Sequence, residues 1–485
     1  MDRTTATYQM KKEDLFGGDY AARKMAMERL LHKDENFDIL EKELVIGGRQ
    51  ACLFAVDGFT KGDISEKVLE FFYSIKEEDM PKEYQDFVKK CTPFLDIMTI
   101  EDEEKWIHVL LSGMTCMLIE GYSQILALDF RTYPGRNVEE PEKDKVLRGS
   151  RDGFIESIIP NAALIRRRIR DVNLIFQIQT IGTSSKTDVA VAYMKGRVKE
   201  SALKKVIDRL KSIEVDSLTL NQESLGEVLF PRSWYNPFPR FKYTERPDTA
   251  AACLLEGSIV ILVDNSPAVM ILPTSLFSIL EDANDYYFPP VTGTYLRLTR
   301  MMTSLLAVFL TPLFLLLINN PEWVPEPLQF IIIKDPINVA PIIQFLILEF
   351  AIDGLKMAAV NSPNMLTTPL SIVAGIVFGD YTVGSGWFNA EIMLYMAFVA
   401  VANYTQSNME LAYAIKFHRI ICLVLTAFFG LYGFIAGVVI LLAVLLLNPT
   451  LAGRGYLYPL LPFNGGQCLR RFLRVSLPYT QRKKS

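Results

Sequence analysis

Three ionisable residues interrupt an apolar stretch in the second half of the chain. The stretch is Ile337–Val360, INVAPIIQFLILEFAIDGLKMAAV, and the residues are Glu349, Asp353 and Lys356. Their spacings of four and three positions place them on one face of a helix. An ionisable group in hydrocarbon costs about 3 kcal/mol, so such groups normally face a bundle interior or a water-filled path. The pattern predicts a membrane helix that handles ions or polar solutes, with these three residues as the candidate ion pathway.

The same residues also fit a structural function. Asp353 and Lys356 stand three positions apart and can pair on the helix, with Glu349 near a water interface. Glu391 and Asn403, in the next apolar stretch, are polar residues that could extend the constellation. The residue types leave both functions open.

A second charged cluster lies in the first half of the chain. Arg166, Arg167, Arg168 and Arg170 follow a stretch with apolar residues at helical spacing. Such a cluster is either a surface stripe that pairs with carboxylates or a contact with another subunit or with lipid headgroups. We expect the cluster to form a contact at a subunit interface or with lipid headgroups. A surface stripe is the alternative.

Other chemistries lack the residues that they need. The sequence has no nucleophile elbow, HExxH motif, P-loop or paired-glycine fingerprint, so we expect no enzyme and no cofactor. The turn GTSSKT at 182–187 joins two predicted strands and lacks P-loop spacing. Six scattered cysteines without CxxC and three distant histidines predict no metal site. A net charge of -4 gives no argument for nucleic acid.

Composition divides the chain near residue 296. The second half predicts spans at Met301–Ile318, Ile337–Val360, Ile392–Tyr404 and Ile420–Leu447, and a segment at Leu366–Gly379 that is too short to span as a straight helix. The last of these spans reads as one long tilted helix, with a tight helical hairpin as the alternative. We therefore expect four spans and one re-entrant segment, or six spans if the short segment crosses and the last block is split.

Basic residues set the predicted orientation. Arg297 and Arg300 precede the first span, the loop from Asn319 to Pro327 carries only acidic charges, and the tail after Arg454 is rich in Arg and Lys. Positive residues favour the cytoplasmic side, so both ends are expected in the cytoplasm.

The first half predicts an α+β cytoplasmic region followed by an all-α polytopic membrane domain. Helical spacing and short alternating strands, with strand pairs around Gly47-Gly48 and around Gly121, predict a mostly helical subdomain at 1–114 and an α/β subdomain at 115–245. A juxtamembrane hairpin and amphipathic segment at 246–295, the membrane domain at 296–452 and a basic tail at 453–485 complete the predicted division.

Several motifs together resemble the GerA family of spore germination proteins, in its A-subunit class. These are FDILEKELVIGGRQACLFAVDGF (37–59), RDGFIESIIPNAALIRRRIRD (151–171), SKTDVAVAYMKG (185–196), LLEGSIVILVDNSPAVMILP (254–273) and GRGYLYPLLPFN (453–464). Within that family, the first and last stretches are most similar to the SpoVAF type.

The resemblance implies the spore inner membrane and a homo-oligomer in the lipid bilayer. Implied partners are a small membrane protein or other germination receptor subunits, and the implied activity is movement of monovalent cations at germination through an oligomeric channel. A small-solute transporter subunit and a non-conducting scaffold are the alternative functions. Glu349 falls in an acidic membrane helix that resembles one in the family.

Overall fold

The computed structural model describes residues 13–60, 62–94, 96–134, 149–230, 235–361, 375, 381–450 and 455–474. The chain forms two compact units. The first comprises Met1–Pro231 and Phe241–Pro273, and the second comprises Arg232–Arg240 and Thr274–Ser485. The first unit contains the sheets and the second is helical.

The first sheet has the strand order β1-β2-β4-β5-β3, and every neighbouring pair is antiparallel. Alternating residues of β2 supply two cores, with Cys52, Phe54 and Val56 on one face and Ala51 and Leu53 on the other. Its strands are β1 (Ile39–Ile46), β2 (Arg49–Val56), β3 (Ile97–Ile100), β4 (Thr115–Ile119) and β5 (Ile125–Leu128). The accompanying helices are α1 (Glu13–Phe16), α2 (Tyr20–Leu30), α3 (Gly62–Ser74), α4 (Tyr84–Lys90) and α5 (Glu103–Leu111), with a 3-10 turn at Glu77–Asp79.

The second sheet has the strand order β6-β7-β9-β10-β8 and is also antiparallel. Apolar residues of β6, β7 and β9 form one core with α6 and α9. Its strands are β6 (Leu174–Ile181), β7 (Thr187–Met194), β8 (Lys242–Thr244), β9 (Ile259–Val263) and β10 (Val269–Leu272). The helices of this part are α6 (Ile158–Arg168), α7 (Glu200–Lys211), α8 (Gln222–Leu229) and α9 (Pro247–Leu255).

The predicted fold class is confirmed, and the strand pairs predicted around Gly47-Gly48, Gly121 and residues 182–187 are present. The first sheet continues past the predicted boundary between residues 114 and 115, because β4 pairs with β2. The hairpin at Leu254–Leu272 pairs as β9 and β10, and it lies inside the second sheet.

The second unit is built from helices of very different lengths. They are α10 (Leu276–Leu280), α11 (Asn284–Tyr287), α12 (Pro290–Asn319), α13 (Pro341–Asn361), α14 (Thr382–Gly384), α15 (Ala390–Tyr404), α16 (Met409–Leu447) and α17 (Gly465–Phe472), with 3-10 turns at Pro321–Trp323 and Glu326–Ile331. By length and composition, α12 and α16 are able to cross a membrane. The predicted re-entrant segment, Leu366–Gly379, lies outside the described residues apart from Gly375.

Helix α16 is a hairpin rather than one long tilted helix. Gly430 has φ 56° and ψ -130°, which breaks the helix and suits a residue without a side chain. A Cβ placed on Gly437 would lie 2.7 Å from Cys422 Sγ, although a straight helix would separate residues fifteen positions apart by about 22 Å. The first arm before Gly430 and the second arm after it therefore fold back on each other, so the alternative prediction of a helical hairpin is confirmed.

Polar contacts set the direction of the long helices. The start of α13 meets the start of α15, where the Asn389 amide donates to Gln344 Oε1 at 2.9 Å. Their ends also meet, with Lys356 Nζ 4.8 Å from the Tyr404 ring centroid. Helix α12 runs the other way, because Ser304 at its middle bonds Gln406 just after α15, and Phe314, farther along α12, contacts Tyr395 inside α15. Helices α13 and α15 are thus parallel to each other and antiparallel to α12.

Candidate functional site

Glu349 lies at the centre of a buried ion-pair network in the helical unit. Its side chain on α13 accepts from Arg419 on the first arm of α16, with Nε to Oε1 at 2.5 Å and Nη2 to Oε2 at 2.9 Å. Lys416 Nζ lies 3.3 Å from Glu349 Oε2 and donates to the Glu349 carbonyl at 3.0 Å. The three residues are at most 4% exposed. Both carboxylate oxygens of Glu349 are therefore held by cations from a neighbouring helix.

Arg419 also fixes a third helix. Its Nη1 donates to the Ala307 carbonyl of α12 at 2.8 Å, so the guanidinium joins α12, α13 and α16. The planar fork of arginine suits this bidentate arrangement. Because each ion would be costly alone in this interior, the network holds the three helices in one register.

Asp353 and Lys356 lie nearer to the surface of the unit. Asp353 forms an ion pair with Lys416, and its side chain is 28% exposed. The second oxygen, Oδ1, has no hydrogen-bond partner within the described part of the chain. Lys356 lies over the aromatic rings of Tyr404 and Tyr413, at 4.8 and 5.7 Å from the centroids. The structure therefore brings Glu349 and Asp353 together through Lys416 and places Lys356 against aromatic residues.

Lys416 and Arg419 were not among the predicted site residues, because they precede the uncharged stretch Ile420–Leu447. Leu411, Ile415 and Cys422 mark the buried face of the first arm, and both basic residues are buried among them. Two cations three positions apart on an apolar helix face could have been matched to the two carboxylates on α13. Pattern alone would not have told which helices meet.

Further polar groups lie along the same helices. Gln344 Nε2 donates to Asn389 Oδ1 at 2.9 Å, at the end where α13 and α15 begin. Glu391 Oε2, Asn403 Oδ1 and Thr311 Oγ1 are buried atoms without a hydrogen-bond partner among the described residues. Glu391 and Asn403 thus each carry a buried oxygen that the described residues leave unpaired.

The arginine cluster of α6 divides into different environments. Arg166 is 1% exposed and donates to both oxygens of Asp38, at 2.8 and 3.1 Å. Arg168 pairs with Asp152 at 2.5 Å. Arg167 lies over the Tyr133 ring at 4.4 Å, and Arg170 is exposed. Arg166 thus serves the interior, Arg168 is partly buried in its ion pair, and Arg167 and Arg170 are the exposed members of the predicted contact site.

Arg166 also connects the two sheets of the first unit. Asp38 precedes β1 of the first sheet, and α6 packs on the second. Beside this pair, the Phe37 amide donates to the Phe176 carbonyl and the Phe176 amide donates to Asn36 Oδ1.

Burial alone would raise the pKa of Asp152, but hydrogen bonds from Arg168 and Ser150 outweigh it and hold that pKa below the ordinary value.

The family model described as Bacillus/Clostridium GerA spore germination protein matches residues 26–485. The chain belongs to the GerA family. Stage V sporulation protein AF of Bacillus subtilis (strain 168) is 33% identical over 445 residues, which are 91% of this chain and 90% of that protein. Spore germination protein A1 of the same organism is 30% identical over 353 residues, covering 72% of this chain and 73% of that protein.

One solved structure similar to this GerA-family chain is the N-terminal domain of the A subunit of the Bacillus megaterium spore germinant receptor GerK3. It covers 52% of this chain and 93% of that domain, at 23% identity and a TM-score of 0.39. The family match contains both the α6 arginines and the ionic residues of α13 and α16.

Proposed function

We propose that this GerA-family chain is a multi-pass protein of the spore inner membrane. It is a subunit of a homo-oligomeric cation channel that acts at germination. The observation that carries the proposal is Asp353, a carboxylate in an apolar helix whose side chain is 28% exposed at the surface of the helical unit. Its position lies about 18 Å along α13, too far from the helix start to count as a terminus.

A partly exposed carboxylate at this depth needs a polar environment. Hydrocarbon against Asp353 would cost about 3 kcal/mol, and Lys416 compensates only one of its oxygens. Water bonded to the buried Oδ1, and water or another subunit beside the exposed part of the side chain, would remove that cost. A ring of such residues in an oligomer would concentrate monovalent cations and disfavour anions through its negative potential.

Glu349 and Lys356 complete the proposed ionic lining in different ways. Glu349 acts through Lys416, which it holds in position for Asp353. Lys356 is placed by two tyrosine rings, near the end of α13. In this lining, Asp353 faces the pathway, Glu349 supports it and Lys356 lies at its end.

Six passes fit the directions of the described helices. Helices α12, α13 and α15 and the two arms of α16 make five, and the parallel directions of α13 and α15 require the chain to return between them. Both ends of the membrane domain then lie on the side where Arg297 and Arg300 begin α12, which the positive-inside rule makes cytoplasmic. Assembly with a small membrane protein or with other receptor subunits is part of the proposal.

The test compares Asp353→Asn with Asp335→Asn, the same change at an exposed residue before α13. Both variants are purified as oligomers and reconstituted into vesicles, with and without the candidate partner, and monovalent cation flux is measured per assembled oligomer. We expect Asp353→Asn to lower flux or cation selectivity with the oligomer intact, and Asp335→Asn to match the unmodified protein.

Glu349→Gln is expected to lower the amount of folded oligomer before it changes flux per oligomer, because it breaks a buried ion pair. Unchanged flux per oligomer in Asp353→Asn would remove Asp353 from the pathway. No flux from the unmodified oligomer under any condition would favour the non-conducting scaffold.

A further inference from the structure

The C-terminal helix α17 is fastened to the beginning of α12. Arg471 forms an ion pair with Glu281, and Arg297 Nη1 of α12 donates to the Arg470 and Arg471 carbonyls at 3.0 and 3.2 Å. These bonds use the orphan carbonyls at the end of α17, which a helix cannot satisfy by itself. The position of α17 is therefore set by α12 and by the segment before it.

A second group of contacts strengthens this attachment. Asp285 is 0% exposed and pairs with Arg297 and Arg300, at 3.4 and 3.0 Å. Arg474 donates to the Tyr286 carbonyl at 2.6 Å, and its amide donates to Thr294 Oγ1 at 3.1 Å. Gly293 leaves the room for this packing, because a Cβ there would lie 2.7 Å from Arg474 Cδ.

The attachment fixes the level of α17 along α12. Helix α12 has 30 residues and is about 45 Å long, whereas the hydrocarbon core of a bilayer is about 30 Å thick. The uncharged part, Met301–Ile318, fills that core, so Arg297 and Arg300 lie at headgroup level. Helix α17, held by Arg297, lies at the same level.

Helix α17 packs through one face and leaves an apolar face open. Phe472 contacts Phe277, with ring centroids 5.7 Å apart. Leu469 on the helix and Leu473, the residue that directly follows it, are 57% and 40% exposed. Phe463, just before the helix, is 75% exposed. Aqueous exposure of three large apolar residues on one short segment is unfavourable, so this face has a partner.

The charge around the apolar face identifies the partner. From Gly453 to Ser485 the sequence has seven basic residues and no acidic one. Arg470 is exposed next to Leu469 on α17. An amphipathic helix with a basic edge, held at headgroup level, has the features of an interfacial helix that binds anionic lipid.

We propose that α17 lies in the plane of the membrane and inserts Leu469 and Leu473 into an anionic leaflet, with Arg470 at the phosphate groups. The exposed apolar residues of α12 at the same level, Tyr295 and Leu298, continue this lipid-facing surface. The inference concerns the docking of the tail on lipid and is independent of ion conduction.

The experiment places an environment-sensitive nitrobenzoxadiazole label on the full-length protein in lipid nanodiscs. The background is Cys253→Ser with Cys468→Ser, because the other four cysteines are buried. The label goes on Leu469→Cys, on Leu473→Cys or on the control Gln467→Cys, an exposed position at the polar edge of α17. Emission and quenching by nitroxide-bearing lipids are compared in phosphatidylglycerol and phosphatidylcholine discs.

We expect blue-shifted emission and strong nitroxide quenching at positions 469 and 473, and weaker effects at 467. Arg470→Gln should reduce the quenching in phosphatidylglycerol discs and leave it unchanged in phosphatidylcholine. Equal signals at all three positions, or water-like emission at 469 and 473, would overturn the proposal. A blue shift without nitroxide quenching would show a protein surface over this face and would overturn it as well.

Discussion

The Arg419 guanidinium bonds to two other helices of the second unit and so joins three helices. Arg419→Met would leave Glu349 with only Lys416 as an ionic partner and would release the Ala307 carbonyl. We expect the free energy of unfolding to fall by about 3–5 kcal/mol, because breaking a buried pair leaves an uncompensated charge. Thermal unfolding of the detergent-purified protein measures the change.

Phe417→Leu is the matched control, since Phe417 is on the same helix and 49% exposed. The double variant Glu349→Leu with Arg419→Met should recover a large part of the loss, because it removes both desolvated charges. A single variant as stable as the control would mean that Glu349 and Arg419 do not pair in the membrane protein.

The α6 arginines are predicted to differ although the sequence presents them as one cluster. Arg166→Ala leaves Asp38 buried without its fork, so we expect about 3–5 kcal/mol of destabilisation in the first unit. Arg170→Ala, at an exposed position, should stay within about 0.5 kcal/mol. Hydrogen exchange of β1 and β6 in the full-length protein reports the difference, and equal protection in the two variants would contradict it.

At the scale of elements, the hairpin of α16 depends on close approach of its two arms. Gly437→Leu would place a side chain where Cys422 Sγ and Cα already lie within 3.0 Å of a Cβ. We expect a loss of about 1–3 kcal/mol or more from overpacking, whereas Val439→Leu, 57% exposed, should be neutral. The yield of folded protein and its melting temperature in detergent check this, and equal values would mean that the arms do not touch.

Elements with a local pattern could be predicted from the sequence, and contacts between distant elements could not. The pairing of β1 with β2 follows from alternating apolar residues around Gly47-Gly48. Gly430 marked the break in α16, but a glycine in an apolar run fits both a tilted helix and a hairpin. The Lys416 and Arg419 partners depend on which helices are adjacent, and local periodicity carries no such information.

The same limit applies to the candidate site. Glu349, Asp353 and Lys356 were found because charges in an apolar stretch stand out. Their different environments, one enclosed, one partly exposed and one over aromatic rings, arise from residues 48 or more positions away. Similarly, the sequence around Arg166 and Arg170 does not show that only Arg166 faces the interior.

At the scale of the whole molecule, composition predicted a division near residue 296, and the continuous part of the helical unit begins at Thr274. Composition did not show that residues 232–240 belong to the helical unit. There Phe238 lies against His418, with centroids 5.0 Å apart, and Asn236 donates to Asn448 at 3.2 Å. A short segment before the last strands of the second sheet thus helps to build the core beside α16.

The last prediction concerns the orientation of the entire chain. With six passes, Asn448 and the tail lie on the side of Arg297, and the tip of the α16 hairpin lies on the opposite side. Single cysteines at Ser485 and Tyr432 in a cysteine-free background are exposed to a membrane-impermeant maleimide in intact cells. We expect Tyr432→Cys, 82% exposed at the hairpin tip, to react from outside and Ser485→Cys to react only after permeabilisation. One long helix would bury Tyr432→Cys in hydrocarbon, so a lack of external labelling there would overturn the hairpin topology, and external labelling at Ser485→Cys would overturn the cytoplasmic tail.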